Sequence, residues 1–326
     1  MFVYLRILLL AATAIYHAIA SQLENQKPPP GQLVDVGGYR LHCCVAGRGS
    51  PTVVLDHSLG GVEGYFLIEE LSKLTRVFIY DRAGYGWSDR SPHPRTSKQI
   101  VTELDKLLTQ AEIKPPYILV GDSFGSYNVR LYAYQFPEKV IGMVLTDGLH
   151  ERGMLKMSAP LQALKLFFIS GFAMSILGSF LGIIRVLSVG RVFELLKPEL
   201  RKIPPVSLDA VKRSFCRSKH WITMSREMLN LENSARQMSE AAYQFEGMPI
   251  VNVKADSFFK PSFWTFLIPL GGANRLRDEM HVELSKLSTN CTQLKAERSG
   301  HFVWVDEPDV IIEAVKLILD KENYSY

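Results

Sequence analysis

Residues 117–128, YILVGDSFGSYN, decide the fold of this chain of 326 residues. Four apolar residues predict a short β-strand, Gly121-Asp122-Ser123-Phe124-Gly125 follows directly, and a helical pattern begins after it. The two glycines permit a sharp turn that lifts the Ser123 hydroxyl above the carboxyl edge of a sheet. The N–H of Phe124 would then lie at a helix N-terminus, where it can stabilise an oxyanion. The turn therefore predicts Ser123 as a nucleophile.

A serine hydroxyl is a poor nucleophile without a base, so a histidine is expected downstream. The chain has eight histidines. His301 lies between the last predicted strand and the last predicted helix, where a loop can place its imidazole over Ser123. The other histidines fall in the N-terminal segment, early strands, loops or helical stretches. Among these, His281 is interpreted as a surface or core residue of a helix.

Strand-like and helical patterns alternate from Gln32 onward. The strands are predicted at 33–36, 39–45, 52–56, 76–80, 117–120, 140–145, 249–253 and 292–296, and the helices at 62–74, 96–113, 127–136 and 308–319. Continuously apolar strands between helices indicate a mostly parallel sheet covered on both faces. Residues 149–245 interrupt the alternation with mostly helical patterns. The fold class is therefore α/β, a mostly parallel central sheet with helices on both faces and a helical lid insertion.

Five segments follow from this pattern. Residues 1–20 form a signal peptide or signal anchor, and residues 21–31 form a Pro-rich spacer. The core of the fold comprises residues 32–148 and 246–326, and residues 149–245 form a helical cap or lid.

Four motifs in this order resemble the α/β-hydrolase superfamily, in its lidded, esterase-like branch. They are DHSLGG at 56–61, YDRAGYGWSD at 80–89, GDSFG at 121–125 and SGHF at 299–302. The resemblance covers roughly residues 32–320 and implies a second oxyanion N–H from Leu59, beside that of Phe124. The family usually carries His-Gly before that residue, whereas this chain has His57-Ser58.

The acidic partner of the histidine has two candidates. Relatives place this acid after either the sixth or the seventh strand. Asp147 ends the run after the sixth predicted strand, and Asp256 lies just past the seventh. The spacing from Ser123 to Asp147 is similar to that in relatives with a sixth-strand acid, so the resemblance favours Asp147, and Asp256 remains the alternative. Either carboxylate would hold the imidazole tautomer and stabilise the imidazolium.

Two apolar segments raise the question of a membrane. In residues 1–20, MFVYLRILLLAATAIYHAIA, a single early cation precedes an apolar run and a small-x-small site at 18–20. This pattern favours a cleaved signal peptide over an uncleaved signal anchor. Residues 166–184 hold no charge and are long enough to span a bilayer, but three glycines interrupt them. A lid helix that packs over a pocket or contacts a membrane surface is favoured.

Composition restricts the classes of binding partner and the cellular compartment that we expect for this chain. The net charge is +4, and no block of five like charges occurs, so nucleic acid is not expected as a partner. Four cysteines and the sequons at Asn290 and Asn323 fit a secreted or membrane-associated protein of the secretory pathway. The cysteine spacings indicate no metal site.

These patterns predict a serine hydrolase that cleaves carboxylic esters of apolar or lipid-like substrates through an acyl-enzyme, without a metal or organic cofactor. A membrane surface is a candidate partner. Amidase or iminopeptidase, acyltransferase and non-catalytic binding functions remain as alternatives on the same fold. Epoxide hydrolases and dehalogenases resemble this fold but use an aspartate where Ser123 stands. Asp81 and Arg82 are interpreted as a buried structural ion pair.

Overall fold

The computed structural model describes residues 2–196, 198–241, 244–258 and 270–323. Within these residues one sheet contains the strands β1 (Gln32–Asp35), β2 (Arg40–Ala46), β3 (Thr52–Asp56), β4 (Arg76–Tyr80), β5 (Tyr117–Asp122), β6 (Val140–Thr146), β7 (Ile250–Ala255) and β8 (Cys291–Ala296). Their spatial order is β1-β2-β4-β3-β5-β6-β7-β8. The pairings of β1 with β2 and of β2 with β4 are antiparallel, and the others are parallel.

The helices precede, cover and interrupt this sheet. They are α1 (Phe2–Asn25), α2 (Leu67–Leu71), α3 (Ser97–Gln110), α4 (Gly125–Gln135), α5 (Glu151–Leu155), α6 (Ala159–Phe180), α7 (Ile183–Val189), α8 (Val192–Leu196), α9 (Pro205–Phe215), α10 (Ser218–Leu229), α11 (Leu231–Ala241), α12 (Leu270–Leu284), α13 (Val303–Asp306) and α14 (Pro308–Asn323). Short 3-10 turns occur at Gly64–Phe66, Pro137–Lys139 and Pro198–Lys202.

Alternate residues of the central strands face two separate cores. Val54 and Leu119 pack with α3 and α4, whereas Val53 and Ile118 pack with α2 and α14. All five residues of β3 are buried, because helices cover both faces of the sheet at this position. The predicted α/β architecture is therefore confirmed, and the carboxyl ends of β3, β5, β6 and β7 meet at one edge.

Residues 149–245, here called the lid region, connect β6 to β7. The described part of this region contains α5 to α11 and no strand. The apolar run 166–184 is not one helix, because α6 ends at Phe180 and Gly182 adopts a φ of +74° before α7 begins. A left-handed residue at this position redirects the chain and is inexpensive only for glycine.

Two predicted boundaries were wrong. The helix predicted at 62–74 is only a 3-10 turn followed by the short helix α2. The spacer predicted at 21–31 is helical up to Asn25, because α1 continues through it. Its Glu24 is held by Arg185 and Arg217 of the lid region, which stabilises these last turns. All four cysteines are free thiols.

Candidate active site

The turn between β5 and α4 carries Ser123 in a strained conformation. Ser123 has a φ of 49°, in the left-handed region that non-glycine residues adopt rarely. The flanking glycines are needed for close packing rather than for this dihedral angle. A Cβ on Gly121 would lie 2.6 Å from the Val129 side chain, and one on Gly125 would lie 2.4 Å from the carbonyl oxygen of Asp56. The glycines therefore let the turn press against its neighbours.

His301 lies between Ser123 and Asp147. Its Nε2 is 2.8 Å from the Ser123 Oγ, and its Nδ1 is 2.6 Å from the Asp147 Oδ2. The ring stacks on Phe258 with a centroid distance of 4.7 Å, and the His301 N–H donates to the Phe258 carbonyl oxygen. These contacts fix the loop after β8 so that the imidazole bridges the hydroxyl and the carboxylate.

Asp147 follows β6 directly and is buried. Burial alone would raise its pKa, but hydrogen bonds from His281 and His301, together with their charges, outweigh it and hold the pKa of Asp147 well below the usual range. Asp256 lies one strand further along the same edge, with a side chain that is 56% exposed and faces Lys295 at 3.8 Å. The structure therefore places Asp147, and not Asp256, against His301.

Sequence reasoning missed a second histidine on the same carboxylate. The Nε2 of His281, on α12, lies 3.0 Å from the Asp147 Oδ1, and its Nδ1 lies 2.8 Å from the Asn252 Oδ1. The Asn252 amide nitrogen faces the His281 carbonyl oxygen and the Ser285 hydroxyl, which fixes its orientation. His281 belongs to no local motif. Only the packing of α12 beside β7 brings it to Asp147.

The loop after β3 is fixed by an arginine beneath it. The guanidinium of Arg82 donates to the carbonyl oxygens of His57 and Ser58 at 2.6 and 2.7 Å. In a trans peptide the N–H points away from the carbonyl, so the Leu59 N–H is turned away from Arg82. Leu59 and Phe124 both line the cavity that contains Ser123. The arrangement is compatible with two oxyanion donors.

The predicted pairing of Asp81 with Arg82 was wrong. Arg82 pairs with Asp56 at 2.7 Å and with Glu227 of the lid region at 3.0 Å. Asp81 instead accepts hydrogen bonds from His42 and Tyr65. Both residues are buried, but their side chains leave the chain in different directions, one toward the lid region and the other toward β2. The lid region thus contributes a carboxylate to the arginine that holds the Leu59 loop.

An apolar cavity of about 320 Å³ opens onto Ser123 and His301. This volume is at the lower end of small-molecule sites, which span about 300–1,000 Å³. Its apolar lining comes mainly from the loops at the sheet edge and from α6, α10 and α12: Leu59, Phe124, Leu149, Met154, Met157, Leu161, Leu164, Phe168, Phe172, Met224, Met228, Leu231, Phe258, Ala273, Leu276, Met280 and Phe302. Flexible methionines adapt to varied apolar ligands.

Known proteins resemble this chain in sequence and in fold. A family profile described as the α/β-hydrolase fold matches residues 51–174. A probable transporter, efuK, of Hormonema carpetanum is 24% identical over 309 residues, which cover 89% of this chain and 42% of that protein. The chain spans less than half the length of the first curated relatives it matches.

Two solved structures show the same architecture. The epoxide hydrolase CorEH has a TM-score of 0.67 at 17% identity, covering 89% of this chain and 98% of its own. The enol-lactonase of Burkholderia xenovorans LB400 has a TM-score of 0.62 at 16% identity, covering 89% of this chain and 100% of its own. Residues 51–174 thus match the α/β-hydrolase profile, and the described chain as a whole has the α/β-hydrolase fold. Its fold is that of a hydrolase.

Proposed function

We propose that this chain is a serine hydrolase that cleaves carboxylic esters with an apolar or lipid-like acyl group. The observation that carries the proposal is the unbroken hydrogen-bonded series from Ser123 through His301 to Asp147, which ends in an apolar cavity. A structural serine would have no need of a strained φ, a histidine and a buried carboxylate together. The likeness to an enol-lactonase, which is also named for an ester substrate, agrees with this assignment.

In the proposed mechanism, the Ser123 Oγ attacks the ester carbonyl while the His301 Nε2 accepts its proton. Asp147 holds the other ring nitrogen and stabilises the imidazolium that forms. The N–H groups of Phe124 and Leu59 donate to the oxyanion. His301 then protonates the leaving alkoxide, which departs as the alcohol. Water, deprotonated by the same histidine, releases the carboxylic acid from the acyl-enzyme.

The cavity lining favours an apolar acyl group over a charged one. Among the described residues, the titratable side chains that line this cavity are Asp147 and His301 of the proposed triad, and Lys165 and Arg277. Arg277 already faces Asp147 and the carbonyl of Asp256. An iminopeptidase would need an acidic group for a free amine, and neither the lid region's Glu227 nor its exposed Glu232 is among the cavity residues. Ester substrates therefore suit the described lining better than amino-terminal peptides.

Fluorophosphonate labelling tests the nucleophile. The intact protein is expected to label, and Ser123→Ala and His301→Ala are each expected to abolish labelling. Ser225→Ala is the matched control, because the Ser225 hydroxyl only donates to the Trp221 carbonyl within α10. If the folded protein fails to label, or labels equally in all variants, the serine hydrolase assignment is wrong and a binding role becomes the better account.

The substrate class is tested with p-nitrophenyl esters of increasing acyl length. We expect kcat/KM to rise from the acetate to medium-chain esters, since more apolar area enters the cavity. Analysis of products in the presence of a long-chain alcohol separates hydrolysis from acyl transfer. Release of free acid as the main product supports the hydrolase, whereas predominant formation of the new ester would identify an acyltransferase.

We also propose that the chain enters the secretory pathway through α1, one of two described helices long and apolar enough to cross a membrane. Asn290 lies in a turn before β8. Its side-chain amide donates a hydrogen bond to the Gly247 carbonyl oxygen and accepts one from the Lys321 ammonium group. Residues 324 and 325 of the second sequon lie outside the described residues. Endoglycosidase treatment of protein from eukaryotic cells tests translocation. A mobility shift that is lost in Asn290→Gln together with Asn323→Gln is expected, and cytosolic, unmodified protein would contradict the proposal.

A further inference from the structure

Helix α1 is docked on the lid region along one face. Its partly buried residues are Thr13, Ala14, His17, Ala20, Ser21 and Glu24, which recur at helical spacing. In contrast, the side chains from Val3 to Leu10 are exposed. The first part of α1 therefore projects from the protein, and the second part lies against it.

The docking contacts are specific. The Thr13 hydroxyl donates to the Leu181 carbonyl oxygen at 2.7 Å, and the Arg185 guanidinium donates to His17 at 3.2 Å. At Gly182 the two backbones touch, because a Cβ there would lie 2.1 Å from the Thr13 carbonyl oxygen. Small residues that allow such close approach are typical of helix contacts within membranes. Cleavage after Ala20 would remove Thr13 and His17 from this interface.

The charged end of the interface is sheltered. Glu24 pairs with both Arg185 and Arg217, and the Arg217 guanidinium also donates to the Ser21 carbonyl oxygen. Arg185 is only 7% exposed. These paired charges lie at the C-terminal end of α1, and the projecting apolar turns lie at its N-terminal end. If α1 crosses a bilayer, the charged end would lie at the boundary between membrane and water.

The helices on either side of Gly182 in the chain carry an exposed apolar surface. Exposed large apolar side chains cluster on α6, α7 and α8 as Leu166, Phe167, Met174, Leu177, Phe180, Val186, Val189, Leu195 and Leu196. Helix α6 is apolar on all sides, a pattern expected for a helix surrounded by other apolar material. Its other face, with Phe168 and Phe172, lines the active-site cavity. One helix thus separates the cavity from this exterior surface.

Helix length sets the depth of insertion. The ten helical steps from Val3 to Thr13 span about 15 Å at 1.5 Å per residue, which is half of the roughly 30 Å hydrocarbon core of a bilayer. If α1 crosses a bilayer, the contact of Thr13 with Gly182 lies near its midplane. The apolar side chains around Gly182 then lie in the adjacent leaflet rather than in water.

We infer that α1 is retained as a membrane anchor, and that its docking on Gly182 holds the outer face of α6 in the bilayer, beside the active-site cavity. Together with the proposed ester hydrolase function, on which it rests, this membrane position assigns the substrate class as acyl esters resident in the membrane. Such substrates reach the cavity by passing α6 from the hydrocarbon. The occupant of the apolar surface is the lipid bilayer, not another protein.

The first experiment determines the N-terminus and the lipid contacts of the full chain, expressed with a C-terminal tag in eukaryotic cells. Intact mass is expected to include residues 1–20. In phosphatidylcholine vesicles that carry a phospholipid with a photoreactive acyl chain, cross-links are expected in α1 and in peptides covering 166–189. Peptides containing the exposed Leu229 and Val282 serve as internal controls, since they lie outside this surface.

Two variants test the docking itself. Gly182→Leu places a side chain against the Thr13 backbone, whereas Gly171→Leu on α6 meets no neighbour within 4 Å and is the matched control. Gly182→Leu is expected to reduce cross-linking of 166–189 to the control level while α1 stays labelled. Thr13→Trp, which leaves the lid region unaltered, is expected to do the same. Fluorophosphonate labelling of each variant reports whether the active site is intact.

The outcomes separate this inference from the proposed function. A mature N-terminus at Ser21, or cross-links confined to α1, would overturn the inference whatever the enzyme does. Absence of fluorophosphonate labelling in the unmodified protein would overturn the proposed function, while the lipid cross-links would still decide whether the lid region inserts.

Discussion

The carboxyl edge of the sheet and the lid region above it hold their side chains in different ways. At the edge, Asp147, His301 and Arg82 each form two or more hydrogen bonds with neighbouring groups that fix their orientation. Helix α6, in contrast, carries apolar side chains on both its cavity face and its outer face. Directional contacts specify one geometry, whereas apolar packing specifies a volume. Substitutions at the edge should therefore have large and specific effects, and those on α6 should be graded.

The largest expected effect is that of Asp147→Asn. The variant keeps the shape of the side chain but favours the wrong tautomer of His301, so kcat for a chromogenic ester is expected to fall by about 10⁴-fold. Asp256→Asn, on the neighbouring strand end, should stay within about two-fold of the unmodified protein, because its exposed side chain contributes little. Steady-state kinetics of the two variants shows which aspartate is the acidic partner of His301. Reversed results would assign the acid to Asp256.

The next effect is on stability, through the contact of the two regions. Glu227→Ala leaves Arg82 buried without one of its two carboxylates, which is expected to lower the free energy of unfolding by about 3–5 kcal/mol. Glu232→Ala removes only an exposed pair with Arg236, for which about 0.5 kcal/mol or less is expected. Chemical denaturation of both variants in one detergent measures the difference. Equal losses would mean that Glu227 does not join the lid region to the sheet edge.

A smaller effect is expected at His281. Replacing it by Phe removes the hydrogen bond to the Asp147 Oδ1, so the carboxylate is held less firmly toward His301. A hydrogen bond to a charged group contributes about 1.5–3 kcal/mol, and kcat is therefore expected to fall at least roughly ten-fold with little change in KM. His281→Gln, which still offers an N–H, should recover much of the loss. Equal kcat in the Phe and Gln variants would mean that His281 acts only through packing and not through its hydrogen bond to Asp147.

The sequence predicted the turn at Ser123 and the positions of the strands and helices around it because these are local patterns. A strand, two glycines and a helix lie within 20 residues, and each element follows from its own composition. The preference for Asp147 over Asp256 came instead from the resemblance to known relatives, and the contact of His281 was not predicted at all. Both aspartates follow parallel strands, and only side-chain direction separates them.

The prediction for two adjacent residues was wrong because tertiary contacts decide their partners. Asp81 and Arg82 are neighbours of opposite charge, yet each finds a stronger arrangement elsewhere, with His42 and with Asp56 and Glu227. Glu227 lies 145 residues from Arg82, so no local pattern could show the pairing. Long-range ion pairs depend on how the lid region docks, which the sequence predicts only as a helical insertion.

The smallest effect distinguishes the two faces of α6 at neighbouring positions. Phe168 lines the cavity, whereas Phe167 is 71% exposed on the outer face. Phe168→Ala removes apolar contacts to the acyl group, so kcat/KM for a medium-chain ester should fall about ten-fold relative to the acetate. Phe167→Ala should leave this ratio unchanged for water-soluble esters, because its ring does not line the cavity. Kinetics over the ester series compares them. If the two variants altered acyl selectivity equally, the division of α6 into a cavity face and an outer face would be wrong, and α6 would not separate the cavity from the bilayer.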